Sequence, residues 1–240
     1  GNRRSHRDAL RFSWLPRDTR RGIADSVVRT GSTKVSEKKF AKILSKYETQ
    51  NKIEQELFKI EIKNLAIYGY GIKGFMLSMI ECALEISNYS ISQYEIDAIL
   101  LIGKEMLNKP IDLLDGVEEV LANLQGRYKL IVATKGDLLD QERKLEKSGL
   151  LKYFHHIEVM SEKKEMDYKK LVKHLDINLN ELLMIGNSLK SDVLPLLRIG
   201  ASAIHIPFHI TWSHEEVSVK ETQDSNFHTV HHIKEVLKLL

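Results

Sequence analysis

The chain has 240 residues, of which 42% are hydrophobic and 29% are charged, with one Cys and four Pro. This composition is typical of a globular protein with a sizeable core, and a single Cys excludes a disulfide framework and suits the reducing cytoplasm. No apolar run approaches the roughly 18 residues that a membrane helix needs, and no secretory signal is recognisable. We therefore expect a cytoplasmic protein with no membrane partner.

The net charge of +3 is distributed unevenly along the chain. Residues 1–32 contain eight Arg, no Lys and three Asp, which gives +5, whereas residues 33–240 contain 28 basic against 30 acidic residues, which gives −2. We interpret residues 1–32 as an Arg-rich leader that is not native to the fold. An Arg-rich segment could instead bind nucleic acid, but this one contains no recognisable binding module, so we expect no nucleic-acid partner.

Apolar residues at helical spacing predict that residues 33–109 are mostly helical. Within this region Ser92 and Glu95 have the spacing of a capping box at the start of a helix. The segment Gly69-Tyr-Gly-Ile-Lys-Gly74 matches the G-x-G-x-x-G pattern, and residues 64–68 could be the strand before it. A dinucleotide site also needs a second strand ending in an acid about 20 residues later, which is missing, so we favour a turn between helices.

Residues 110–240 show short apolar runs that alternate with helical patterns. Alternation of this kind predicts an α/β fold, a doubly wound parallel sheet with helices on both faces. The predicted strands are 129–133, 157–160, 182–185 and 201–206, and the predicted helices are 116–124, 138–148, 168–175, a helix through 194–199, and 233–240.

Polar residues follow three of these strands, and the carboxyl ends of parallel strands share one edge of a sheet, where ligands bind. The residues concerned are Thr134, Lys135 and Gly136 after the first strand, Lys163 after the second, and Asn187 and Asp192 after the third. A hydroxyl and ammonium groups suit a phosphoryl group, and amide and carboxylate oxygens suit Mg²⁺. Each cluster alone would be read as loop residues and helix caps, and Asp137 in particular as an N-cap.

Six histidines near the C-terminal end invite a second metal hypothesis. Their spacing matches no zinc pattern and no Cys supports it, so we expect ordinary surface or packed histidines. They are His205, His209, His214, His228, His231 and His232.

Taken in order, the motifs of the C-terminal half resemble those of the haloacid dehalogenase (HAD) superfamily. Residues 132–137 resemble its second motif, and Lys163 resembles the Lys of its third motif. Residues 184–192 resemble its fourth motif, which is usually Gly-Asp-x₄-Asp. Residues 110–117 resemble the linker that returns from an inserted cap. The resemblance implies a HAD-like core over 110–240 with an α-helical cap over 33–109.

The resemblance also implies a function, Mg²⁺-dependent hydrolysis of a small phosphorylated metabolite. Thr134 and Lys163 would then hold the phosphoryl group as catalytic residues, with Lys135 and Gly136 beside them in substrate binding. Asn187 and Asp192 would hold the Mg²⁺. Asn187 stands where the family usually has Asp, so we expect weaker metal binding.

The family's first motif, Asp-x-Asp-x-Thr/Val, supplies the nucleophile and the general acid, and it is missing from residues 1–32. If Asp18 is taken as the first Asp, Arg20 occupies the place of the second. If Asp18 is the second, Pro16 occupies the place of the nucleophile. We therefore expect negligible turnover. The missing motif normally follows a central strand, and residues 9–15 are the one candidate in sequence to fill that position.

Three explanations remain for the missing motif. The segment could be a vector-derived leader, the chain could be a natural pseudo-enzyme, or the coding sequence could be frame-shifted upstream. Two functions other than phosphate hydrolysis also remain. One is non-catalytic binding of phosphorylated ligands. The other is carbon–halogen hydrolysis within the same superfamily, which needs no Mg²⁺.

Overall fold

The computed structural model describes residues 31–110, 113–207 and 226–240, and it describes the backbone alone for residues 9–13 and 31–33. The chain divides into two compact units, Gly1–Pro16 with Asp112–Leu240 and Arg17–Ile111. Over the described residues, no helix has both the length and the apolar character needed to cross a bilayer.

The second unit is helical, as the sequence predicts for this region. Its core is built from apolar residues that recur at helical spacing, such as Ile53, Leu57 and Ile60 on one helix. Burying one such stripe from each helix stabilises the unit far more than helix propensity does. The described helices are α1 (Gly31–Ile43), α2 (Gln50–Tyr68), α3 (Ile72–Ile86) and α4 (Gln93–Asn108).

The capping box predicted at the start of α4 is confirmed. Ser92 Oγ accepts a hydrogen bond from the Glu95 backbone N–H at 3.3 Å, and the Glu95 carboxylate accepts one from the Ser92 backbone N–H at 2.9 Å. Hydrogen bonds that the Glu95 carboxylate accepts from the Ser92 backbone N–H, from Lys46, and from the Ser92 and Tyr47 hydroxyls lower the pKa of Glu95 to about 2. Glu95 thus stays ionised at the helix N-terminus, where the macrodipole favours negative charge.

The G-x-G-x-x-G segment forms a turn between helices, as expected. Helix α2 continues through Tyr68 and α3 begins at Ile72, so the reading of residues 64–68 as a strand is wrong. Gly69 and Gly71 have φ angles of 67° and 127°, a region that other residues rarely adopt. The glycines therefore serve the change of direction between two packed helices.

The first unit contains a six-stranded sheet in the order β3-β2-β1-β4-β5-β6, with every neighbouring pair parallel. This confirms the predicted α/β class. The strands are β1 (Ala9–Ser13), β2 (Lys129–Thr134), β3 (His156–Val159), β4 (Leu182–Gly186), β5 (Ser202–His205) and β6 (Phe227–Thr229). The helices are α5 (Val117–Leu124), α6 (Leu138–Lys147), α7 (Glu165–Leu175) and α8 (Leu194–Arg198).

Both faces of the sheet are covered, and β4 shows why. Leu183 and Ile185 belong to one hydrophobic cluster with α5, whereas Leu182 and Met184 belong to another with α7 and α8. Successive side chains of a strand point to opposite faces, so a strand covered on both sides reads as a continuous apolar run. This is why the predicted parallel sheet could be recognised from runs without alternation.

Two elements differ from expectation. The three-residue strand β6 was not predicted, and the closing segment Ile233–Lys238 is a 3₁₀ helix where an α-helix was expected. Strand β6 is too short to carry a periodic signal, and it exists because its backbone pairs with β5.

The centre of the sheet is filled by β1. Leu10 pairs with Leu130 of β2 on one side and with Leu183 of β4 on the other, and the last paired residue, Ser13, lies opposite Gly186. This confirms that residues within 9–15 fill the central position. These five residues of the Arg-rich segment are therefore part of the sheet. The remaining residues of 1–30 lie outside the described residues.

The capping box of α4 yields a stability prediction. Ser92→Ala removes the side-chain acceptor of the Glu95 N–H and should lower the free energy of unfolding by about 1 kcal/mol, measured by urea denaturation. Thr49→Ala is the matched control, because Thr49 is the N-cap of α2 and makes no side-chain capping bond. It should cost clearly less, and equal losses for the two variants would contradict the assignment.

Candidate functional site

Loops that follow β2, β3 and β4 meet at the carboxyl edge of the sheet. Lys135 Nζ, after β2, donates a hydrogen bond to Ser191 Oγ at 3.0 Å, and Lys163 Nζ, after β3, donates one to Asp192 Oδ1 at 2.8 Å. Ser191 and Asp192 both belong to the loop that follows β4. The structure thus brings together residues from all three predicted clusters, while their chemical roles remain predictions.

The turn after β2 is organised by Thr134. The Gly136 backbone N–H donates to Thr134 Oγ1 at 3.0 Å, and the side chain of Thr134 is buried. Because that bond occupies Oγ1 as an acceptor, the hydroxyl hydrogen remains available to donate elsewhere. Asp137 is the N-cap of α6, with Oδ1 accepting the Asp140 N–H at 3.0 Å, which confirms the capping interpretation of that residue.

Lys163 has an unusual backbone conformation. Its φ angle is 53°, in the left-handed region that costs a non-glycine residue on the order of 1 kcal/mol or more. The residue is nevertheless only 6% exposed, with its ammonium group against Asp192. The conformation therefore turns a long cationic side chain inward, away from the solvent it would otherwise reach.

Asp192 lies in a π-helical turn, Leu189–Val193, and is 1% exposed. Its Oδ2 accepts the Ser188 backbone N–H at 3.1 Å while Oδ1 accepts Lys163. A Cβ on Gly186 would stand 2.4 Å from Asp192 Cβ, so a larger residue at 186 would push this side chain away. The Gly of the fourth motif is thus required by the close approach of its Asp to the end of β4.

Asn187 differs from Asp192 in its surroundings. Its side chain is exposed, and its backbone carbonyl lies 3.2 Å from Nε2 of His205, which is buried at the end of β5. Burial lowers the pKa of His205, with the Asn187 carbonyl opposing that shift in part. A neutral His205 can donate to this carbonyl and fix the backbone at residue 187.

The other histidines are placed in various ways. His228 and His231 are exposed, and His232 caps the closing 3₁₀ helix by accepting the Lys234 N–H. His209 and His214 lie outside the described residues. Within the described part of the chain, no three His, Cys, Asp or Glu side chains are grouped to hold a metal ion.

Sequence reasoning did not foresee Ser191, Tyr168 or His205 as parts of this region. The Tyr168 hydroxyl donates a hydrogen bond to the Ser191 backbone carbonyl at 2.7 Å and thereby holds the π-helical turn in place. Ser191 could have been suspected because it adjoins Asp192 in the fourth motif. Tyr168 and His205 carry no such signal, since their partners are distant in sequence.

Comparison with known proteins identifies the family. A family model of haloacid dehalogenase-like hydrolases matches residues 4–200. A haloacid dehalogenase-like family hydrolase from Xanthomonas campestris has 31% identity and a TM-score of 0.77, covering 99% of this chain and 93% of that one. The chain therefore belongs to the haloacid dehalogenase-like hydrolases, a phosphohydrolase-type enzyme family.

More distant structures share the fold. The HAD-hydrolase YfnB from Bacillus subtilis, bound to magnesium, has 14% identity and a TM-score of 0.58, covering 97% of this chain and 98% of that one. A predicted phosphoglycolate phosphatase from Haemophilus somnus has 12% identity and a TM-score of 0.60, covering 98% of this chain and 99% of that one. Among curated proteins the search finds no match.

The buried Lys163–Asp192 pair yields a second prediction. Lys163→Met leaves the Asp192 carboxylate buried without its cation and should lower the free energy of unfolding by about 3–5 kcal/mol. Adding Asp192→Asn removes the stranded charge and should recover part of that loss. The measurement is chemical denaturation of the single and double variants.

The control for that cycle is an exposed pair. Lys39 and Glu105 form a salt bridge with both side chains more than half exposed, so Lys39→Met should cost less than about 1 kcal/mol. If Lys163→Met is as mild as Lys39→Met, the pair does not stabilise the fold.

Proposed function

We propose that the carboxyl edge of the sheet is a phosphohydrolase-type site for a small phosphorylated metabolite. Thr134 and Lys163 hold the phosphoryl group, with Lys135 and the backbone at Gly136 beside them. Asn187 and Asp192 hold Mg²⁺, and residues 33–109 act as the cap that governs substrate choice. The protein works in the cytoplasm.

The convergence of donors is the observation that supports this proposal. A hydroxyl comes from the last residue of β2 and two ammonium groups come from the loops after β2 and β3. Both ammonium groups are held by the loop after β4. Buried cations and a hydroxyl at the carboxyl edge of a parallel sheet suit an anionic ligand with several oxygens. A phosphoryl group has that form, and Lys163 would neutralise part of its charge.

The metal proposal depends on the donor set around Asp192. Each of its oxygens accepts one hydrogen bond and keeps a further lone pair, and the exposed Asn187 amide makes no hydrogen bond to the described residues. One carboxylate and one amide oxygen fit a Mg²⁺ that retains several waters. When bound, the ion would neutralise charge on the phosphoryl oxygens. YfnB, a protein of this fold, is bound to magnesium, which supports the proposal that this chain also binds the ion.

The missing acids limit what the site does. After β1 the sequence continues Trp14-Leu-Pro16 with no carboxylate before Asp18. A site that holds a phosphoryl group without a nucleophile or general acid binds the ligand and does not turn it over. The second candidate function, non-catalytic binding of phosphorylated ligands, rests on this same observation.

Restoring the first motif tests the proposal. The triple variant Trp14→Asp, Pro16→Asp, Asp18→Thr creates Asp-x-Asp-x-Thr directly after β1 in sequence. We expect the unaltered chain to show no Mg²⁺-dependent release of phosphate from p-nitrophenyl phosphate. The triple variant should release phosphate at least about 100-fold faster than the background hydrolysis measured without protein, because a positioned acid–base group alone contributes that much.

The controls for this test separate the alternatives. Lys163→Ala in the triple variant should abolish the restored activity. Phosphate release by the unaltered chain would contradict the predicted inactivity. A triple variant that folds but hydrolyses nothing across a panel of phosphate esters would favour the binding function. Activity on a haloacid without Mg²⁺ would favour carbon–halogen hydrolysis.

The metal ligands yield a further prediction. Asn187→Asp adds a second carboxylate to the proposed Mg²⁺ site and should tighten Mg²⁺ binding about tenfold, measured by isothermal titration calorimetry. Asn123→Asp is the matched control, since Asn123 is an exposed residue of α5. Equal Mg²⁺ affinity in the unaltered chain and Asn187→Asp would contradict the ligand assignment.

A further inference from the structure

Gln141 lies beside the turn that carries Thr134, although no motif includes it. A Cβ placed on Gly136 would stand 2.6 Å from Gln141 Nε2 and 3.4 Å from Thr134 Oγ1. Gln141 is the fourth residue of α6 and Gly136 precedes the N-cap, two positions that commonly pack together at helix starts. The side-chain amide of Gln141 therefore fills the space that a glycine leaves open in the turn.

The side chain of Gln141 is mostly buried, but its amide is not fully enclosed. The residue is 7% exposed, and its side chain makes no hydrogen bond with any described residue. Because neither N–H of the amide is donated to a described residue, both remain available to a ligand beside Gly136 and Thr134. A ligand in the adjoining turn would supply the missing acceptor.

The electrostatic surroundings permit an anion at this position. Asp140, the neighbouring residue, is buried, and its Oδ2 lies 2.6 Å from Lys144 Nζ. That ion pair offsets the negative charge of Asp140, whose other oxygen, Oδ1, is buried without a hydrogen-bond partner from the residues that the structure describes. The turn also lies at the N-terminus of the ten-residue helix α6, where the macrodipole favours an anion.

We propose that Gln141 contacts the substrate, with its side-chain amide donating a hydrogen bond to the phosphoryl group that Thr134 holds. The Thr134 hydroxyl and the Gln141 amide flank one point in the turn, and phosphoryl oxygens accept such bonds at about 3 Å. A larger residue at position 136 would displace the amide from this position. This inference rests on the proposed phosphate site and adds a specific donor to it.

Two-dimensional ¹H–¹⁵N NMR of the full chain tests the contact directly. The side-chain amide signal of Gln141 is assigned by its loss in Gln141→Met, and inorganic phosphate is added to the unaltered chain in the presence of MgCl₂. We expect this signal to shift, while that of Gln55, an exposed residue of α2, does not. A merely structural role would leave the signal unmoved. If Gln141→Met does not fold, Gln141→Glu supplies the assignment.

Calorimetry with inorganic phosphate measures the size of the effect. Gln141→Met should weaken phosphate binding about tenfold, because it removes a hydrogen bond to a charged group, and Gln141→Glu should weaken it further by adding negative charge. Gln55→Met should bind as the unaltered chain does, and Thr134→Val reports on the phosphate site itself.

The outcomes distinguish the two proposals. Weaker binding in both Thr134→Val and Gln141→Met supports the contact. Weaker binding in Thr134→Val alone, with Gln141→Met unchanged and its signal unmoved by phosphate, overturns the role of Gln141 and leaves the proposed function intact. No phosphate binding by the unaltered chain overturns both.

Discussion

The fold depends on the central position of the sheet being occupied. Strands β2 and β4 are both parallel to β1 and pair with it on opposite sides, so β1 satisfies backbone groups of both neighbours. Without it, one edge of β2 and one edge of β4 would face each other unpaired inside the core, at a cost that few native proteins tolerate. The alignment of the loops after β2, β3 and β4 follows from that continuous pairing, because register places their carboxyl ends at one edge.

This constraint concerns the backbone, and the chemistry of the family concerns side chains. The pairing from Ala9 to Ser13 is made by backbone groups and is open to many residue types other than proline. A nucleophile, in contrast, must be a particular residue at a particular place. The chain can therefore match the family model over residues 4–200 although residues 14–18 do not contain an Asp-x-Asp-x-Thr motif. The sheet is therefore evidence that the chain belongs to the family, and it is not evidence of activity.

The same distinction explains what could be predicted from the sequence. The run Leu182–Gly186 is apolar on both faces, and Ser92 with Glu95 has capping-box spacing, so β4 and the start of α4 were recognised from local pattern. Strand β6 and the bonds Lys135–Ser191 and His205–Asn187 depend on partners remote in sequence, and no local pattern encodes them. The edge at which the polar clusters meet was predictable because parallel topology dictates it.

The pair between Lys163 and Asp192 gives the site a further property. Each residue is buried and satisfies the charge of the other, so the site is stable without a ligand. An anion that draws the Lys163 ammonium leaves the Asp192 carboxylate less compensated, and a cation at Asp192 leaves Lys163 less compensated. Either ligand alone therefore weakens an existing bond, whereas an anion and a cation together compensate both charges. Phosphate and Mg²⁺ bound beside Lys163 and Asp192 would each increase the affinity of the protein for the other, because coupling free energies between two ligands are reciprocal.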